Sequence, residues 1–187
     1  VVTPNISLNP GRIGFLQVLE AMGARVSGEV TGAILGDPVG TVAVRGAGLR
    51  GTSVSGALAA ASLDELPLVA IVASYAEGIT TVADAAELKV KESDRIQVMA
   101  DGLQAIGVDA VATDDGMVIQ GCGPDGSLGA GTVHSHDDHR IAMAFAMASL
   151  RASGEIHIED CDNVNTSFPG FAELAASCGL SITVINE

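Results

Sequence analysis

Tryptophan is missing from this 187-residue chain, and aromatic residues make up only 3% of it. Base-stacking platforms for single-stranded nucleic acid are built from such rings, so that class of partner is excluded. Positive charge is scarce as well. Nine Lys and Arg stand against 23 Asp and Glu, for a formal net charge of -14. A nucleic-acid or anionic-membrane surface needs a basic patch, which this composition does not supply. Cys122, Cys161 and Cys178 are odd in number, widely spaced and form no C-x-x-C pair. Neither a zinc ribbon nor a disulfide framework is indicated, and a reducing, cytoplasmic setting is the simplest inference. The longest apolar stretches, around residues 66–76 and 141–150, fall short of the ~20 residues that span a bilayer. No signal peptide precedes them, and the chain opens Val1-Val2-Thr3-Pro4 without a Met, as a processed, split or truncated product would.

What is present is a large apolar fraction, 48%, and 23 glycines spread along the chain. Such a composition predicts a substantial core and many short elements with frequent turns. Ile13, Leu16, Leu19 and Met22 recur at helical spacing, then Gly23 stops the helix and residues 24–26 read as extended. A second copy has Ile96, Met99, Leu103 and Ile106, then Gly107 and a strand at 108–112. A third has Phe168, Phe171, Leu174 and Ala175, then Gly179 and a strand at 181–185. Helical periodicity closed by Gly is the expected C-terminal signature. Between these lie helices that are apolar nearly all round, at 65–76 and 138–150, each followed by a Gly and a strand, at 79–82 and 155–158. Further strands are predicted at 42–45 and 117–120, the latter after the turn Asp114-Asp115-Gly116. The order amphipathic helix, two strands, buried helix, strand thus repeats at roughly 70–85 residues, a period that predicts an α/β domain of duplicated units. The stretch 121–132, rich in Gly and polar residues, is the expected mobile loop, and no low-complexity linker divides the chain.

The chain's only lysines, Lys89 and Lys91, fall within Glu87-Leu88-Lys89-Val90-Lys91-Glu92-Ser93-Asp94-Arg95, at a predicted strand-to-helix junction. Free N–H groups and the positive dipole end at a helix N-terminus suit anionic ligands. Lys91 and Arg95 would add full charges there. They also disfavour the helix by ~0.3–1 kcal/mol, which Glu92 and Asp94 can offset. The plainer alternative is an acidic first turn with solvated basic neighbours. A second cluster, His134-Ser135-His136-Asp137-Asp138-His139-Arg140, also precedes a helix. Its rival reading is a metal site, which would need rigidly held ligands and supporting partners. The third, Asp64-Glu65-Leu66-Pro67, opens a buried helix; a routine cap with Pro in the first turn competes there with a catalytic carboxylate. Should the three helices run parallel, their N-terminal ends form one surface carrying Asp64, Lys91, Glu92, Arg95, His139 and Arg140. That set could bind two anionic substrates and move protons between them.

The octapeptide from Leu88 to Arg95 resembles the signature of the 5-enolpyruvylshikimate-3-phosphate synthase family, and Asp138-His139-Arg140-Ile141-Ala142-Met143 resembles its second hallmark. Thr166-Ser167-Phe168-Pro169 looks like its C-terminal motif, and Asn9-Pro10-Gly11-Arg12 resembles an N-x-x-R element of its class II, glyphosate-tolerant branch. The likeness runs through essentially the whole chain, in order. It implies the enolpyruvyl transferase fold, an inside-out α/β arrangement of repeated βαβαββ units, with about two and a half units here. It implies a reaction in which phosphoenolpyruvate donates its enolpyruvyl group to the 5-hydroxyl of shikimate 3-phosphate and phosphate leaves, with no metal or organic cofactor. By matched position, Asp64 is the proton acceptor near that hydroxyl and Lys91 lies close to both substrates. Glu92 exchanges protons at the phosphoenolpyruvate methylene, Arg95 and Arg140 clamp phosphoenolpyruvate, and His139 orients or hydrogen-bonds. Guanidinium forks suit phosphate and carboxylate bidentately.

Departures from the family pattern are two substitutions and a length. Thr166 stands where many members carry Lys, and Glu87 where many carry Asn; both look like class II character. The chain, read as one domain over 1–187, is less than half of a full enzyme and lacks the N-terminal portion that holds shikimate 3-phosphate. Three readings follow: a component that works with an N-terminal partner; the sister UDP-N-acetylglucosamine enolpyruvyl transferase; or an inactive anion-binding fragment. The Lys-Glu-Ser-Asp-Arg and Asp-His-Arg motifs argue against the sister enzyme. Exposed apolar surface is expected where a partner would sit.

Overall fold

A computed structural model describes residues 1–185. Strand β1 (Val2–Ser7) leads into helix α1 (Gly14–Ala21), a hairpin of β2 (Arg25–Ile34) and β3 (Asp37–Arg45), and the short strand β4 (Ser53–Val54). Helices α2 (Gly56–Ala61) and α3 (Leu66–Ser74) and strand β5 (Glu77–Val82) follow. The same order then returns: helix α4 (Arg95–Ala105), a hairpin of β6 (Asp109–Ala112) and β7 (Met117–Cys122), strand β8 (Gly131–His134), helix α5 (His139–Ala148) and strand β9 (Ile156–Glu159). A further round begins with α6 (Asn163–Ser167) and α7 (Phe171–Ser177).

The expected helix stops act alike in all three rounds. At the end of α4, Gly107 N donates to Gln104 O (3.0 Å) and Val108 N to Leu103 O (2.9 Å), the paired closure of a Schellman cap. Gly23 and Gly179 close α1 and α7 with the same pair of bonds. Each needs the left-handed backbone, with φ of 82° at Gly107.

The sheets show why the repeat is a physical unit. β4 lies parallel to β5, β5 antiparallel to β7, and β7 antiparallel to β6, in the order β4-β5-β7-β6. The first sheet, β1-β3-β2, is the same arrangement without the leading parallel strand, and β8-β9 is its parallel pair alone. In β5 and β7 the inward residues Thr80, Val82, Met117 and Ile119 are buried while their neighbours are partly or fully exposed, the alternation a one-sided sheet requires. Their inner face covers α3, which is buried nearly all round through Leu66, Val69, Ala70, Ile71 and Ala73. Helices α4 and α5 pack beside α3, burying Ile96, Met99 and Leu103 from one and Ile141, Phe145 and Ala148 from the other. Gly102 makes their approach close: a Cβ there would lie 2.4 Å from Cζ of Phe145. Gly14 does the same at the start of α1, where a Cβ would meet the backbone of Ala61 at 2.6 Å.

Three expectations need correction. Residues 181–185 form no strand among the described residues. Their counterparts β2 and β6 each pair only with the strand that follows, β3 or β7, and residues 181–185 pair with no strand among the described residues. The hairpin at 25–45 is far longer than the 24–26 and 42–45 segments expected, because β2 is exposed along nearly its whole length and carries no apolar alternation to read. The stretch 121–132 is stitched down instead of loose. Leu128 is buried and exchanges backbone bonds with Arg151 and Ser153, at 3.0 and 2.7 Å. Arg151 stacks 5.0 Å over the Tyr75 ring and donates to the carbonyls of Gly123, Pro124 and Gly126.

Candidate active site

The N-terminal ends of α3, α4 and α5 do converge, and each is built by a local device. Asp138 caps α5, accepting from the backbone N–H of Arg140 at 3.0 Å. The chain reaches that cap through two consecutive left-handed residues, His136 (φ 52°) and Asp137 (φ 57°). Non-glycine residues there store strain and need over-determined surroundings. Ser135 supplies part of them, its one hydroxyl hydrogen shared between the carbonyls of Glu159 (2.9 Å) and Asp160 (2.6 Å), and Asn163 Nδ2 donates to Asp137 O at 2.7 Å. Asp94 caps α4 by accepting from Gln97 N at 3.2 Å. Asp64 lies in a single 3-10 turn, Leu63–Glu65, before α3, and neither start carries a side-chain capping bond. Its carboxylate is therefore free for other partners, which removes the routine-cap reading.

Arg95, the first residue of α4, is the best-buried large side chain of the cluster, 1% exposed. Its Nε donates to Asp138 Oδ2 at 2.7 Å and its Nη2 to Asp138 Oδ1 at 3.3 Å, while Ser93 Oγ donates to Asp138 Oδ2 at 3.1 Å. Nη2 also meets Glu92 Oε2 at 2.5 Å. Nη1 is buried and makes no hydrogen bond among the described residues; Asp64 Oδ1 lies 3.8 Å from it. A buried guanidinium N–H without an acceptor is a donor held open.

Asp64 sits amid four cations. Oδ2 accepts from Arg12 Nη1 at 3.3 Å and lies 3.6 Å from Arg140 Nη2; Oδ1 lies 3.8 Å from both Lys91 Nζ and Arg95 Nη1. Arg140 Nη1 further donates to the Asp64 carbonyl at 3.0 Å. Burial pushes the Asp64 carboxyl up, but Arg140, Arg12 and Lys91 outweigh it and hold the group below its ordinary value. Asp138 follows the same logic, burial opposed and overcome by Arg95. At Glu65 burial prevails over Arg12 and Arg140, and the carboxyl is raised. Lys91 also pairs with Glu87 at 3.1 Å, so the residue in place of the common Asn takes up part of the ammonium's charge. Gly11, Leu63 and Ala61 line the same depression beside Asp64 and Lys91.

Of the residues expected at the site, Asp64, Lys91, Glu92, Arg95 and Arg140 meet. His139 is the first residue of α5, next to Arg140, and its side chain has no hydrogen-bond or ion-pair partner among the described residues. His134 turns away to Glu159, 3.0 Å from Nδ1, and to Asp160. No group of three or more His, Cys, Asp or Glu placed to hold a metal ion occurs among the described residues. Sequence reasoning leaves Arg12, Glu65 and the bridging role of Asp138 out of the site. Asp138 has a visible signal, an Asp directly before a helix in a basic cluster; Arg12 has none beyond its motif, since it lies 52 positions from Asp64.

A model of the EPSP synthase (3-phosphoshikimate 1-carboxyvinyltransferase) family matches residues 1–174. The chain belongs to the EPSP synthase family. The 3-phosphoshikimate 1-carboxyvinyltransferase of Nitrosococcus oceani is 52% identical over 182 residues, covering 97% of this chain and 40% of the relative. That of Alkalilimnicola ehrlichii is 48% identical over 183 residues, covering 98% and 40%. The solved EPSP synthase of Acinetobacter baumannii superposes with a TM-score of 0.95 at 43% identity, over 100% of this chain and 43% of that one. The enolpyruvyl transferase NikO of Streptomyces tendae shares the fold, with a TM-score of 0.66 at 21% identity over 91% of this chain and 36% of that one. The chain thus spans about 40% of the length of the curated EPSP synthases it matches, and its fold is that of the enolpyruvyl transferases, as the motifs imply.

Proposed function

We propose that this chain supplies one wall of an EPSP synthase active site and works as a transferase together with an N-terminal portion of the enzyme, residues 1–187 forming a single domain of it. The substrates are phosphoenolpyruvate and shikimate 3-phosphate, and the setting is cytoplasmic. No helix among the described residues is long and apolar enough to cross a membrane. The observation that carries the reading is Asp64, an ionised carboxylate with cations at both oxygens, at the junction of three helix N-termini. Arg95 Nη1 and Arg140 receive the anionic groups of phosphoenolpyruvate, displacing their present carboxylate contacts. The 5-hydroxyl of shikimate 3-phosphate hydrogen-bonds to Asp64. As its oxygen bonds to C2 of phosphoenolpyruvate, Asp64 takes the hydroxyl proton and Glu92 delivers a proton to the C3 methylene, giving a tetrahedral adduct. Elimination returns the C3 proton to Glu92 and breaks the C2–O bond to phosphate; the hydroxyl proton held on Asp64 passes to the departing phosphate, which restores the Asp64 carboxylate as the enolpyruvyl product is released. Lys91 lies between the two substrates and offsets charge at both steps.

The test is phosphate release from the two substrates, with this chain alone and then with the N-terminal portion of a close relative. Release only in the mixture is the expected outcome. A formed complex without release would favour the second reading, an inactive anion-binding fragment.

A further inference from the structure

We propose that Arg12 is a positioning residue for Asp64, holding the carboxylate in the orientation from which it meets the substrate hydroxyl; this rests on the reading of Asp64 as proton acceptor. Among the four cations around Asp64, only Arg12 donates a hydrogen bond to its carboxylate, from Nη1 to Oδ2 at 3.3 Å. Arg140 gives its bond to the Asp64 main-chain carbonyl, and Lys91 and Arg95 stand at 3.8 Å from Oδ1. Arg12 therefore fixes which oxygen is tied and which is presented to Lys91 and Arg95. Its Nη2 reaches Glu65 Oε1 at 3.8 Å, so one planar fork spans the two adjacent carboxylates.

The support beneath Arg12 is built for this. Arg12 N donates to Asn9 O at 2.8 Å, and Asn9 Oδ1 accepts from Gly11 N at 2.9 Å. Asn9 Nδ2 donates to Asp37 Oδ1 at 3.1 Å, tying the turn to the β2–β3 hairpin. On its other side, the missing Cβ of Gly14 lets the start of α1 press against Ala61 and Ser62, just before the Asp64 turn. The Arg12 side chain is 58% exposed and lies at the rim, where it contacts the base and leaves the buried Arg95 to the substrate.

The groups facing Asp64 are Arg12 from the turn before α1, Lys91 after the 3-10 helix Ala86–Val90, Arg95 on α4, Arg140 on α5 and Glu65 beside it. Removing Arg12 takes away one cation and the orienting bond, so Asp64 holds its proton more readily. In the assembled enzyme, Arg12→Ala is expected to lower kcat about tenfold, well short of the hundredfold or more expected for Asp64→Asn, with KM for either substrate little changed. The acid limb of its kcat–pH profile moves to higher pH, and Arg12→Lys restores the limb but only part of the rate. An Arg12→Ala enzyme with a lowered rate and an unmoved acid limb, or with its loss in KM, overturns the positioning role while Asp64→Asn remains inactive. Undiminished turnover of Asp64→Asn overturns the underlying reading instead.

Discussion

Arg95 and Asp138 form an ion pair whose side chains are 1% and 0% exposed. Removing one partner of an isolated buried pair costs roughly 3–5 kcal/mol, and here Arg95 keeps Glu92 at 2.5 Å, which places the loss toward the lower end. Asp138→Ala is therefore expected to lower the unfolding free energy by about that amount in urea titration, with part of the loss from the α5 cap it also removes. The pair sets a pH dependence. The native pKa of Asp138 lies below its ordinary value, so its stabilisation is complete above the unfolded pKa of about 3.9 and is lost as pH falls through the native value. Asp64 adds to this and Glu65, raised by burial, opposes it. Urea midpoints measured downward from pH 5 should fall, and a midpoint flat to pH 2 would count against the pairing. On the proposed reading Arg95 is also a clamp for phosphoenolpyruvate. Arg95→Lys keeps the charge but loses the fork, and the KM for phosphoenolpyruvate is expected to rise more than that for shikimate 3-phosphate; equal losses would remove Arg95 as the clamp.

At the scale of elements, the site depends on how closely three helices approach. Gly102 on α4 faces the Phe145 ring of α5 with no room for a methyl group. Gly102→Ala is expected to cost about 1–3 kcal/mol through overpacking, and to shift Arg95 against Asp138 because both sit at the ends of the wedged helices. Thermal unfolding and turnover of the assembled enzyme would report the two effects; unchanged values in both would mean that the helices part freely. Here the sequence was most legible. Helix α4 was readable from Ile96, Met99 and Leu103, and the stops at Gly23 and Gly107 from their place after the last periodic residue. Strands β4 and β8 and helix α2 were not, because two to six residues hold too few positions for a period to show. The cluster of Asp64, Lys91, Glu92, Arg95 and Arg140 was legible because each lies at or just before a helix start. Arg12 stood out only through its motif, and its pairing with Asp64 was not legible, because that partner comes from a fold contact between segments 52 positions apart.

For the whole molecule, the repeat explains both what is ordered and what is left open. β3 and β7 each close a sheet from its centre, and residues 181–185 have the position of an outer strand without that closing neighbour. Val184 and Ile185 are 59% and 74% exposed, and Val1 and Val2 on β1 or beside it are 93% and 66% exposed, so apolar surface lies open at both ends of the described chain. The charge of the cluster has a kinetic side. Arg12, Lys91, Arg95 and Arg140 are faced by Asp64, Glu65, Glu87, Glu92 and Asp138, so the cavity carries no positive excess, and the chain around it is at -14. On the proposed reading, an approaching phosphate ester is repelled by the long-range field and attracted only once it touches a guanidinium. Its capture by this chain should therefore quicken as added salt shortens the Debye length from about 30 to about 10 Å, the reverse of an electrostatically steered encounter.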